Sequence, residues 1–207
     1  MKRGLLVSAA VLGTILTAGL SRADTGKISR VQSGWIVDVM PASILSNFKV
    51  NDFDVSGPEG REEMSLVSAM PTVGAGYLVN FADGYADIKG GTGLLLNTRV
   101  RSYLLSGAVE GMFEVKRSVM VGPHLGVAYF LQPEWWGDAE VQMDNAAGVF
   151  GGVSIIMGDR ISYILSVDYL SLSFDTTGFA PGWSTEDSQD KIDMSGVAVQ
   201  FGLRLQF

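Results

Sequence analysis

The chain contains one histidine and no cysteine among its 207 residues. Thiolate nucleophiles, disulfides and thiolate metal sites are therefore absent, and a single imidazole forms no histidine cluster. Hydroxyl chemistry would need His124 as its base, within hydrogen-bond reach of a serine or threonine. His124 sits in Val121-Gly122-Pro123-His124-Leu125-Gly126, with no hydroxyl on either side. The other candidates are charges at strand-like spacing: Asp38, Glu110, Glu114, Asp168 and Arg204. Together with His124 they are expected to form an interior ion network, in which Arg204 is the cation for Glu110, Glu114 or Asp168. No catalytic group, metal or cofactor is expected.

Further carboxylates collect in two polar stretches. Residues 132–144 hold Glu134, Asp138, Glu140 and Asp144 without a base; residues 174–192 hold Asp175, Glu186, Asp187 and Asp190 against Lys191. Their spacing fits no EF-hand loop, so they are read as solvated loops able to meet a surface ligand. Glu62-Glu63 is read as another solvated run. Trp135, Trp136 and Trp183 lie in the same stretches, as interface anchors or partner contacts. With 15 basic against 22 acidic residues, nucleic acid is excluded as a partner.

Strands of period two must position these groups. Val197, Val199, Phe201, Leu203, Leu205 and Phe207 alternate with Ala198, Gln200, Gly202, Arg204 and Gln206. The same alternation recurs over 147–157, 161–169, 119–131, 103–115 and 73–81, and residues 30–40 supply the first strand. The run near 85–97 is expected to pair with 73–81, although Gly90-Gly91-Thr92-Gly93 interrupts its pattern. That makes eight strands. Connections alternate between about three residues (82–84, 116–118, 158–160) and long polar stretches (41–69, 132–144, 174–192), the signature of an outer-membrane barrel. The expected fold is thus an all-β, eight-stranded, antiparallel, up-and-down transmembrane barrel with short periplasmic turns and long extracellular loops.

Aromatic side chains sort to both strand ends. Phe81, Phe113, Tyr163 and Phe207 sit near the short turns, and Tyr103, Tyr129 and Tyr169 near the long loops. Two girdles of this kind are what two membrane interfaces select, with the apolar rows facing lipid. At the start, Lys2-Arg3, the apolar run from Gly4 to Leu20 and Ser21-Arg22-Ala23 read as a secretory signal cleaved after Ala23. The barrel domain is then 24–207.

The terminal Gly196-to-Phe207 segment, with apolar residues at alternate positions, resembles the carboxy-terminal insertion signal of bacterial outer-membrane proteins. The mature chain as a whole resembles the small outer-membrane barrels of the OmpA membrane domain, OmpX and OmpW type. This resemblance implies residence in the bacterial outer membrane and recognition of Phe201, Leu203, Leu205 and Phe207 by the barrel-assembly machinery. It also implies contact with membrane lipid and lipopolysaccharide. The His124 segment does not match the His-x-Ser-Asn pattern of barrels that deacylate lipid A. A non-enzymatic structural or surface role is expected, with an OmpW-like conduit for small hydrophobic molecules as the alternative and a lipid A-modifying enzyme third. The long 41–69 connection departs from the family pattern. Pro123 does too, and is expected to distort the sheet locally without a change of register.

Overall fold

A computed structural model describes residues 32–47, 53–81, 84–185 and 190–207. The expected signal segment, Ala82-Asp83 of the first short turn, and Glu186-Asp187 lie outside them.

Eight strands make up one antiparallel ring: β1 (Gly34–Asn47), β2 (Thr72–Phe81), β3 (Gly84–Leu96), β4 (Val100–Lys116), β5 (Val119–Trp135), β6 (Ala146–Gly158), β7 (Ile161–Ser171) and β8 (Gly196–Gln206). Each pairs with its chain neighbours, and β8 returns to pair with β1. The β2–β3 pairing places Gly74 opposite Gly91 and Ala75 opposite Gly90, so the glycine run that masks the strand pattern still keeps its register. The first strand runs further than its sequence suggests. Pro41, which lacks a ladder donor, falls where the register shifts between Val39 and Ala42, and pairing with β8 resumes to Asn47. Pro123 acts more gently. Its β6 neighbour Val153 stays paired, while on the β4 side the ladder lapses between His124 and Val121 and resumes in the same register.

The long connections are not plain solvated loops. Residues Asp54–Gly57 and Gly60–Glu63 form a hairpin, Val67–Ala69 pairs with the upper end of β1, and Ser184–Thr185 joins the hairpin through Ser56 and Val55. Ser173–Gly178 pairs with both Lys191–Asp193 and Gln142–Met143. Together they cover an apolar core at the long-loop end that includes Phe53, Val55, Leu95, Phe130, Phe174 and Ile192, all 2% exposed or less. Trp135 belongs to this core and so is not an interface anchor.

Three layers fill the interior, and each strand contributes to them in turn. Beneath the loop layer the strands carry the upper core; next comes a belt of buried charged and polar groups; at the short-turn end Ile36, Leu78, Tyr85, Met112, Met120 and Ile164 pack as a second apolar cluster. Strand β7 shows the sequence in one line: Ile164 below, Ser166 and Asp168 between, Leu170 above. The opposite face of every strand points out of the ring. Trp35, Val79, Ile88, Tyr103, Val127, Val149, Val167 and Phe201, one from each strand, are between 47% and 66% exposed.

Candidate functional site

Strand register gathers the charged groups of the middle layer. Asp38 stands directly opposite Arg204 across the β1–β8 pairing. Asp87 faces Glu110, Glu110 faces His124, His124 faces Gly152, and Gly152 faces Asp168, so one row runs across five strands. Like charges directly opposite one another repel, and Asp87 with Glu110 is such a pair. Two cations reach in to hold them.

Arg204 is 3% exposed and is the hub. Its guanidinium grips Asp38 bidentately, Nε to Oδ1 and Nη2 to Oδ2, both at 2.7 Å. Nη1 donates to the Tyr85 hydroxyl at 2.7 Å and to Asp87 Oδ2 at 3.1 Å, and lies 3.1 Å from Glu110 Oε1. The planar fork suits this arrangement, because two parallel bonds to one carboxylate leave its remaining donors free for other partners. Lys89 is the second cation, donating to Glu110 Oε2 at 3.0 Å and to Asp38 Oδ2 at 3.4 Å.

His124 forms the other half of the layer. Its Nε2 contacts Asp168 Oδ1, and its Nδ1 is 3.0 Å from the Ser154 hydroxyl. Ser154 in turn meets Ser166 Oγ at 2.8 Å and donates to Glu110 Oε2 at 3.3 Å. A glycine makes the His124–Asp168 contact possible. Gly152 separates the two residues across the sheet, and a Cβ there would run into the Asp168 side chain and the Val167 carbonyl. The series Ser154, His124, Asp168 has the connectivity of a nucleophile, a base and an orienting acid. Its surroundings favour a different role. The Ser154 hydroxyl is shared among three partners, and Ser154 is paired on both sides in the sheet, opposite Gly122 and Ser166. The neighbouring N–H groups are thus committed to ladders, whereas acyl transfer needs free donors aimed at an oxyanion.

Of the three partners expected for Arg204, only Glu110 lies against it. Asp38, Asp87 and Glu110 surround it, while Asp168 pairs with His124. Glu114 stands opposite Met120 near the short turns, half-buried, and makes no ion pair among the described residues. Tyr85, Asp87 and Lys89 are the residues that sequence reasoning missed. Their alternation with Ala86 and Ile88 is a signal, but the following glycine run conceals it. Ser154 and Gly152 gave no signal, being small residues in an otherwise apolar strand, whereas Ser166 shares the polar face of β7 with Asp168.

A further buried carboxylate lies in the loop layer, outside the ring. Glu62 is 5% exposed, which corrects its reading as a solvated residue. Its Oε2 accepts from Trp135 Nε1 at 2.7 Å, and its Oε1 accepts from the Asp138 N–H at 2.8 Å and from Arg99 at 3.3 Å. Burial by itself raises the Glu62 pKa, but the bonds from Trp135 and Asp138, the charge of Arg99 and the backbone of Ala139 together bring it below the ordinary value. A neighbouring glycine is again required, since a Cβ on Gly137 would strike the Glu62 carboxylate.

The outward aromatic residues lie at the strand ends. Tyr103, Tyr129, Tyr163, Tyr169 and Phe207 are 45% exposed or more, and Tyr163 stacks on Phe201 with ring centroids 6.1 Å apart. Phe81 and Phe113 are half-buried against each other, edge to face at 5.9 Å. Leu203 is exposed and Leu205 half-buried on the last strand. Trp136 is exposed, with the Arg101 guanidinium over its ring.

No family model matches the chain, and no curated protein matches it. Among solved structures it is similar to the crystal structure of Neisserial surface protein A (NspA), with 11% sequence identity and a TM-score of 0.45 over 84% of this chain and 99% of that one.

Proposed function

We propose that this chain is a non-enzymatic β-barrel protein of a bacterial outer membrane. On this reading the eight-strand ring crosses the lipid, and the packed loop layer carries a structural or surface-interaction role. The observation that supports it is the apolar outer face. Every ring strand exposes large hydrophobic side chains, whereas the largest apolar patch of an ordinary soluble monomer is about 300–600 Å². Lipid is the solvent that makes such a belt favourable, and a ring with no free edge is the β-structure that lipid tolerates.

Other features accord with this. Tyrosines cluster at both ends of the belt, where amphipathic rings gain most. Residues 1–23 supply an export signal, and Phe201, Leu203, Leu205 and Phe207 an insertion signal for the assembly machinery. Membrane lipid and lipopolysaccharide are then the immediate partners. The alternative, a conduit for small hydrophobic molecules, fits less well, because a solute would have to cross both apolar layers and the ion layer between them.

Cell fractionation tests the assignment. The protein should be recovered with outer membranes, and its gel mobility should change on boiling, because a ring closed by hydrogen bonds resists detergent until heated. Recovery as a soluble periplasmic protein with no heat-dependent shift would overturn the reading.

A further inference from the structure

A cavity of about 100 Å³ lies in the ring between the ion layer and the upper core. Its polar lining includes Asp168, Ser166 and Gln200 together with Asp38, Lys89 and His124, and its apolar lining includes Leu104, Ala128 and Phe150. One wall is bare backbone at Gly74, Gly90 and Gly91. A second feature of the ion layer bears on what could occupy this space. Asp38, Asp87, Glu110 and Asp168 are all 6% exposed or less, and among the described residues only Lys89 and Arg204 carry permanent positive charge into the layer. Both cations are taken up by Asp38, Asp87 and Glu110. Asp168 has only His124, and it borders the cavity. Asp87 Oδ1 is buried without any hydrogen-bond partner. Uncompensated buried charge is costly, so a positive group placed at Asp168 would be bound favourably.

We propose that the cavity is a binding site for a small amphiphilic organic cation, a short-chain primary alkylammonium. Its ammonium group would donate to Asp168, to the Ser166 hydroxyl and to the Gln200 amide oxygen. The alkyl chain would lie against Leu104, Ala128 and Leu170. A bare metal ion fits less well. Hard cations require six or more oxygen ligands, half of this wall is apolar, and among the described residues no cluster of acidic or histidine ligands is suited to a metal. The size is consistent with a small ligand. An apolar cavity of about 150 Å³ binds benzene, so a three-carbon amine suits the smaller space.

The test is calorimetric titration of the full chain, refolded in detergent micelles, with n-propylammonium, n-propanol and sodium in turn. The wild type should bind n-propylammonium saturably and at least about tenfold more tightly than n-propanol. Asp168→Asn should weaken that binding by about tenfold or more. Ala198→Leu, which fills the cavity opposite Asp168 and leaves every charge in place, should abolish it. Absence of saturable binding at millimolar concentration would overturn the proposal, as would equal binding of n-propanol, displacement by equimolar sodium, or unchanged binding in both variants. If a variant fails to form the heat-shifted species, the wild-type comparison of amine with alcohol decides alone.

Discussion

Arg204 joins more buried partners than any other side chain in the ion layer, so its removal is the most damaging single change there. Arg204→Ala leaves Asp38 without its bidentate partner and deprives Asp87 and Tyr85 of a donor. Breaking a buried pair in this way costs about 3 to 5 kcal/mol, which should appear as a lower midpoint in urea unfolding of the micelle-bound protein. Arg204→Lys should recover only part of the loss, because an ammonium cannot reproduce the fork. Asp87→Asn should cost less, since Arg204 keeps Asp38 and Glu110. A subtler prediction concerns Gly152. Gly152→Ala puts a methyl group where Asp168 reaches His124. The imidazole resonances of His124 should then move at a fixed pH while the ring still forms; unchanged resonances would mean that the contact does not depend on the glycine. These two residues also mark how far the site was legible. Arg204 and its partner Asp38 stand out as charges on the polar face of alternating strands. Gly152 acts by what it lacks, and no pattern in a single sequence reports that.

The strands themselves were read with more success than the segments between them, for a physical reason. A strand facing two different media repeats every two residues and declares itself over ten; a short strand in a loop pairs over two to four residues, too few for a period to show. Glu62 illustrates this, because its burial depends on Trp135, Asp138 and Arg99, residues far away in the chain. Its lowered pKa sets the sign of a pH effect. Folded Glu62 binds a proton less readily than unfolded Glu62, so its contribution is whole above the ordinary value of 4.5 and is lost as pH falls below it. Amide hydrogen-exchange protection factors in the Asp54–Glu63 hairpin should fall on acidification, and Glu62→Gln should largely remove that dependence. Trp183 anchors the same hairpin from the other side, its ring lying where a Cβ on Gly57 would be. Trp183→Ala should make the loop layer a target for limited proteolysis while the ring keeps its heat-dependent gel shift; an equally resistant variant would show that the 184–185 pairing suffices alone.

On the scale of the molecule, the layered interior predicts electrical silence. Among the described residues, two apolar clusters and the charged layer between them occupy the interior, and an eight-stranded ring is only wide enough for side chains to fill. Protein reconstituted in planar bilayers should show no large, stable conductance, and a persistent nanosiemens-scale open state would refute the plug. The order in which the ring is made follows from one of its bonds. Arg204 and Asp38 are 166 residues apart and meet across the pairing of last strand with first. On the proposed membrane reading, until those strands meet each would enter hydrocarbon with its charge short of its bidentate partner, a costly transfer. On that reading the first and last strands of the ring should cross the bilayer in company. Partly inserted forms with these two strands apart should then be rare at every stage of assembly.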